Sequence, residues 1–165
     1  MKIALSTDHA GFEVLRQLEA HLVGQGHTCV DYGPKELVPT DDYPDFIFPA
    51  AKAVASGECE AGIILGGSGQ GEAMAANRIK GVRCAVYYGG GQASPISGLE
   101  GEGGVGGQDI VRLSREHNDA NMLSLGARFV SVDEAQQVIT TWLSTRFSGD
   151  ERHKRRIQKL DQAEE

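Results

Sequence analysis

Residues Gly66-Gly67-Ser68-Gly69-Gln70-Gly71 form the segment of this chain best suited to hold an anion. Its glycines let the backbone turn tightly and aim successive N–H groups at one point, ahead of a helix N-terminus. Such a nest binds a phosphate or stabilises an oxyanion. The spacing is neither GxxxxGK[ST] nor GxGxxG, which disfavours a P-loop nucleotidase and a standard dinucleotide site. A glycine turn required only for strand–helix packing is the other reading. Glu72 follows directly. Its carboxylate suits the positive end of a helix dipole whether or not it does chemistry. If it faces the same cavity as the nest, it is a general base.

Three further groups have the right types for chemistry. Asp8-His9 is an acid–imidazole pair, and His117-Asn118-Asp119 places a second histidine beside two polar residues. Either pair can act on a substrate, and the second is equally a helix C-terminal cap. Arg152 and Arg156 stand four residues apart in Arg152-His153-Lys154-Arg155-Arg156. On a helix they share a face and converge on one phosphate, or form a solvated basic turn balancing an acidic tail.

The elements that must position these groups alternate in type. Lys2–Thr7 reads as a buried strand that delivers Asp8-His9 at its carboxyl end. Phe12, Leu15, Leu18 and Leu22 recur at helical spacing, and Gly24-Gln25-Gly26 stops that helix. A second strand is expected over His27–Tyr32, ended by Gly33-Pro34, and then a helix within Tyr43–Ser56. Pro49 suits a first turn and kinks an interior, so the start of that helix is left open. Ala61–Leu65 is a third strand running into the glycine loop, and Glu72–Ile79 a helix. Arg83–Tyr88 is strand four, Ile110–His117 a helix, and Met122–Val130 strand five. Val132–Ser144 and about 150–163 are the closing helices. Short apolar strands alternating with amphipathic helices predict an α/β fold, a Rossmann-like three-layer sandwich with a five-stranded parallel sheet. Ligands in such sheets bind beyond the carboxyl ends of the strands, where the strand order reverses. That rule singles out Asp8-His9, residues 66–71 and the segment after Tyr88.

The whole chain of 165 residues is read as one domain. Hydrophobic residues at 40% and charged residues at 24% are ordinary for a globular protein, and the net charge of −7 argues against nucleic-acid or anionic-membrane binding. An anionic ligand must therefore be met by a local cluster of Arg or His. Cys29, Cys59 and Cys84 are odd in number and widely spaced, so neither a disulfide framework nor a zinc site is supported. No metal and no cofactor is called for. The N-terminal apolar run is too short for a signal peptide, which gives a cytoplasmic expectation.

The motifs taken together resemble one family, the ribose-5-phosphate isomerase B / galactose-6-phosphate isomerase group. The matching stretches are Asp8-His9-Ala10-Gly11, Asp42-Tyr43-Pro44, GGSGQGEAMAANRIKGVRCAV at 66–86, LSREHNDANMLSLGARFV at 113–130 and ERHKRRI at 151–157. They span nearly the whole chain in family order. The resemblance implies an aldose–ketose isomerase working through an enediolate. In this family the base is a cysteine opening the glycine loop or a glutamate just after it. Gly66 stands at the cysteine position, so this chain is similar to the glutamate branch, with Glu72 as base. The same resemblance gives Ser68, with N–H groups of Gly67, Gly69, Gln70 and Gly71, to the oxyanion. It makes His117 the ring-opening acid/base, with Asp8 helping to polarise it. His9, Tyr43 and Asn118 would contact hydroxyls or phosphate, and Arg128, Arg152 and Arg156 would grip the phosphate. It also implies a homodimer or homotetramer whose sites combine residues from two subunits, and a small sugar phosphate as the ligand.

One segment departs from the family pattern. Nine of the twenty residues from Gly89 to Gln108 are glycine, and the stretch is longer than the family's usual connection there. It is expected to be a loop insertion beside the site, and it leaves five-carbon and six-carbon sugars (allose or galactose 6-phosphate) both open. A flavodoxin-like or nucleotide-binding module is the rival of another class, but Glu72 and the distant arginine pair have no job in it.

Overall fold

The structure is a computed structural model that describes residues 1–90 and 107–162. Most of the glycine-rich insertion expected at 89–108, and the last residue of the helix expected at 150–163, lie outside the described residues. The elements run β1 Lys2–Thr7, a 3-10 turn His9–Gly11, α1 Phe12–Gly24, β2 Thr28–Asp31, α2 Tyr43–Ala55, β3 Ala61–Gly66 and α3 Gln70–Ala76. They continue with β4 Cys84–Tyr87, α4 Gly107–Glu116, β5 Met122–Gly126, α5 Val132–Ser144 and α6 Glu151–Asp161.

All five strands are parallel, in the order β2-β1-β3-β5-β4. The connections β1→β2 and β4→β5 step one way across the sheet, and β2→β3 and β3→β4 step the other. Crossovers of one hand must then place their helices on opposite faces, and the core divides accordingly. Ile3, Leu5, Ile63, Leu65, Leu123 and Leu125 pack with Leu18 of α1, Val111 of α4 and Val138 and Trp142 of α5. Ala4, Ile64 and Met122 face the other way, against Ile47 and Ala51 of α2 and Ala75 and Ala76 of α3. This is the three-layer sandwich the alternating pattern predicts.

The strand order reverses at β1, whose partners β2 and β3 lie on opposite sides. Register aligns the exits: Thr7 pairs with Leu65, and Gly66 with Gly126. Asp8, the glycine loop and the turn after β5 therefore leave the sheet at one edge, as the rule for such sheets requires.

Several boundaries differ from the sequence reading by a residue or more, α4 beginning at Gly107 and not Ile110, and two of the shifts bear on the site. Strand five stops at Gly126, not Val130, because Ala127 and Arg128 turn to donate to Gly66 O and Gly67 O at 2.8 and 3.1 Å. Helix α3 starts at Gln70 and ends at Ala76, so Glu72 sits in its first turn. Helix α2 begins at Tyr43 with Pro44 in the first turn and runs through Pro49. Proline there removes one N–H bond, but the buried face of Ile47, Ala50, Ala51 and Val54 holds the helix against the sheet.

Candidate active site

Gly69 sits at φ +77°, where a side chain is strained, and a Cβ there would lie 2.9 Å from the Leu125 carbonyl carbon. Ser124 Oγ donates to Gly69 O at 2.6 Å, pinning the loop to β5 from below. The loop is thus fixed by strand contacts on one side, which leaves Gly67, Ser68 and Gly71 to face outward.

Glu72 is only 5% exposed. Its carboxylate lies over Gly66, where a Cβ would fall 1.9 Å from both Glu72 Cδ and Oε1. Burial raises the Glu72 carboxyl above its ordinary value; the hydrogen bond from its own backbone N–H opposes this, and the Asp8 charge adds to it. Asp8 is itself buried at 7% and accepts from Ala10 N at 2.9 Å through Oδ1, capping the 3-10 turn.

These groups share a cleft of about 450 Å³, which brings together Asp8, His9, Tyr43, Gly67, Ser68, Gly71, Glu72 and Arg128. The Tyr43 hydroxyl lies over Gly71 and the Arg128 guanidinium over Gly67, each within van der Waals reach of a Cβ built there. Exposed Phe129 closes one wall. Gly69 is buried beneath the loop, and Gln70 is exposed and borders a separate depression with Met74 and Tyr88.

Sequence reasoning missed Asp41. Its Oδ1 accepts from both the backbone N of His9 at 3.2 Å and the ring Nδ1 at 2.6 Å. An ionised carboxylate only accepts, so the His9 ring donates from Nδ1 in this pair. The two residues are 32 apart in sequence, and no local motif joins them. Asp8, His9 and Asp41 are metal-ligating types with ligand atoms within 4.8 Å of one another. Here the His9 and Asp41 atoms are engaged with each other.

The remaining predicted residues stand elsewhere in this chain. His117, just beyond α4, stacks on His153 of α6 with ring centroids 4.2 Å apart and planes at 14°. Asn118 borders a different pocket with Arg83 and Leu160. Arg152 and Arg156 project from α6 as exposed residues, Arg152 with its Nε 3.7 Å from Asp150 Oδ2. None of His117, Asn118, Arg152 and Arg156 lines the Glu72 cleft.

The turn that carries His117 and Asn118 was also unforeseen in detail. Asp119 adopts φ +45°, unusual for a residue other than glycine. Arg83 holds it there, donating from Nε to Asn118 O at 2.9 Å and from Nη2 to Asp119 O at 2.8 Å and Oδ2 at 3.1 Å. Arg115 approaches the other carboxylate oxygen at 3.6 Å.

Comparison with known proteins adds four findings. The Ribose/Galactose Isomerase family model matches residues 3–95 and 105–160. A ribose-5-phosphate isomerase B of Mycolicibacterium paratuberculosis is 36% identical over 164 residues, covering 99% of this chain and 92% of that one. Among solved structures, ribose-5-phosphate isomerase B of Clostridium thermocellum superposes with a TM-score of 0.85 at 37% identity, covering 99% of this chain and 97% of the other. The Mycoplasma genitalium enzyme, solved with bound ribulose-5-phosphate, gives 0.84 at 32% identity over 99% and 95%. No helix among the described residues is long and apolar enough to cross a membrane.

Proposed function

The chain belongs to the ribose/galactose isomerase family, and we propose that it interconverts ribose 5-phosphate and ribulose 5-phosphate with Glu72 as the base. It is a sugar-phosphate isomerase, an aldose–ketose enzyme. The observation that carries the assignment of the base is the buried Glu72 carboxylate, seated over Gly66 beside the glycine loop and Asp8.

His117 opens the sugar ring by proton transfer between the ring oxygen and the anomeric hydroxyl. Glu72 then takes the proton from C2 of the open aldose, and the electron pair left behind forms the enediolate. Ser68 and the N–H groups of Gly67 to Gly71 stabilise the oxyanion as it develops. The proton of the C2 hydroxyl passes to O1 and Glu72 returns its proton to C1, which completes the ketose with no net gain or loss. A carboxyl raised by burial is a better base for a carbon acid than an ordinary one.

His9, Tyr43 and Asn118 bind hydroxyls or phosphate in this reading, and Arg128, Arg152 and Arg156 hold the phosphate. A phosphate gripped at the far end orients the reacting carbons. Glu72, Gly67, Ser68 and Gly71 line the cleft, whereas His117, Asn118, Arg152 and Arg156 stand apart from it. That separation supports a site completed by a second copy of the chain, with Glu72 from one subunit and His117 from the other.

The test is turnover of ribose 5-phosphate by purified protein, beside allose 6-phosphate and galactose 6-phosphate. Ribose 5-phosphate is expected to have the highest kcat/KM. A six-carbon phosphate ahead of it would reassign the sugar, and no turnover of any would reject the reading.

A further inference from the structure

Helix α6 is docked in an unusual way. Its neighbours Arg152, Lys154, Arg155 and Arg156 are exposed, and among the described residues of the helix the one buried side chain is His153, 4% exposed. An apolar residue there would gain more from burial, and an imidazole carries a desolvation cost. That cost is visible: His153 Nε2 is buried with no hydrogen-bond partner, and Asp150 Oδ2 stands 4.0 Å away, beyond hydrogen-bonding reach. What the ring does make is the parallel stack on His117 at 4.2 Å and 14°.

The segment leading to α6 is tied to the end of α4 by two hydrogen bonds. Arg115 Nε donates to Thr145 O at 3.2 Å, and Ser148 N to Glu116 O at 3.0 Å. His117 lies one residue beyond the last residue of α4.

We propose that His153 is a positioning residue for His117, its ring acting as a planar platform that fixes the orientation of the acid/base imidazole. The proposal rests on the reading of His117 as the ring-opening group. A flat stack restrains rotation of the His117 plane while leaving both ring nitrogens free at the edge. A branched aliphatic side chain would fill the volume without setting the plane. When His117 takes up a proton during ring opening, the cation lies over an aromatic face, which favours it. That benefit requires an uncharged platform. Burial lowers the affinity of His153 for a proton, the His117 and Arg152 charges lower it further, and Asp150 alone opposes.

The experiment compares His153→Leu and His153→Phe with wild type and His117→Ala, all as the full chain with ribose 5-phosphate. His153→Leu is expected to lose roughly tenfold to a hundredfold in kcat with KM nearly unchanged. His153→Phe, which keeps a planar face, should retain kcat within about threefold. A Leu variant with wild-type kcat overturns the proposal. So does a loss confined to KM, which would mean that His153 serves only to place Arg152 and Arg156. Equal losses in both variants, tracking a fall in Tm, would reduce it to a structural residue and likewise overturn it. An arm independent of turnover follows the His117 ring protons by NMR in the free protein. Their ring-current shift should persist in the Phe variant and vanish in the Leu variant; no difference between the two overturns the platform. If wild type is inactive or His117→Ala is fully active, the proposed function fails instead, and the NMR arm still reports on the stack.

Discussion

A Cβ on Gly66 would sit 1.9 Å from the carboxylate carbon of Glu72, so the two positions compete for one volume. The sequence resemblance implies that the base of this family is either a cysteine at the first position or a glutamate at the second. The geometry supplies a reason for the alternative: the glutamate can fold over the loop only if residue 66 has no side chain. Gly66→Ala should therefore displace the carboxylate and cost roughly a hundredfold in kcat. Gly66→Cys should be as poor by itself. Combined with Glu72→Ala, which clears the space, the thiol variant should exceed Gly66→Cys alone. Steady-state kinetics on the four proteins decide it, and a fully active Gly66→Ala would remove the steric argument.

Glu72→Gln gives a paired expectation. Activity should fall by roughly 10³-fold or more, since the amide cannot take a proton from carbon. Stability should move the other way at neutral pH. A carboxyl whose folded pKa lies above the unfolded one binds its proton more tightly when folded, so the wild type loses stability as pH rises through that window. Glutamine has no such loss. The variant should melt above wild type at pH 7, with the gap closing as pH falls below the ordinary value of 4.5. A lower Tm for the variant at pH 7 would contradict the raised pKa.

The pH dependence of the reaction tests the Asp8 contribution. If Glu72 is the base it must be ionised to act, so the acid limb of kcat/KM should lie above the ordinary carboxylate range. Asp8→Asn removes a charge that pushes Glu72 upward, and the amide oxygen can still accept from Ala10 N. The acid limb should then move to lower pH. A limb that stays in place would mean that burial alone sets the pKa.

The sequence was most legible where a short apolar run is bounded by glycine or charge. β1 and α5 fall on their predicted residues, and the parallel sheet followed from the alternation of elements. It misled at Ala127 to Val130, where apolar residues mimic strand but the backbone turns to clamp the glycine loop. Local pattern carries no record of such a long-range bond. The site divided the same way. Gly66 to Glu72 could be read as one unit because the residues are contiguous, whereas Asp41 and Arg83 act on residues 32 and 35 or more positions away. His153 was noticed only as part of a basic run, since nothing in its neighbours says that it is buried.

Arg83 yields a further expectation. Its guanidinium fork holds Asp119 at φ +45° and so sets the tip that presents His117 and Asn118. A left-handed conformation at a non-glycine residue costs on the order of 1–3 kcal/mol and persists only where contacts impose it. Arg83→Lys keeps the charge and loses the fork. It should lower kcat by roughly tenfold and reduce Tm, whereas Arg78→Lys, on an exposed residue nearby in sequence, should do neither. Unchanged kinetics in the Arg83 variant would show that the tip holds its shape without it.

The last expectation concerns the shared site, which rests on the separation of His117 from the Glu72 cleft. If each site takes Glu72 from one subunit and His117 from its two-fold partner, Glu72→Gln and His117→Ala homodimers are both nearly inactive. In a mixed dimer the lesions do not distribute evenly. One site pairs the glutamine of the first subunit with the alanine of the second, and the other pairs the intact Glu72 with the intact His117, because an isologous interface exchanges residues reciprocally. Refolding the two inactive proteins together in equal amounts gives mixed dimers as about half of the population under random assortment, each with one working site. Recovered activity should then approach about a quarter of wild type if the sites act independently. Mass measurement of the mixture establishes that mixed dimers have formed, which separates a failure of assembly from a failure of the idea. Mixed dimers without recovered activity would place Glu72 and His117 in the same subunit's site. In that case the distance between the cleft and the His117–His153 stack would have to close by movement within one chain.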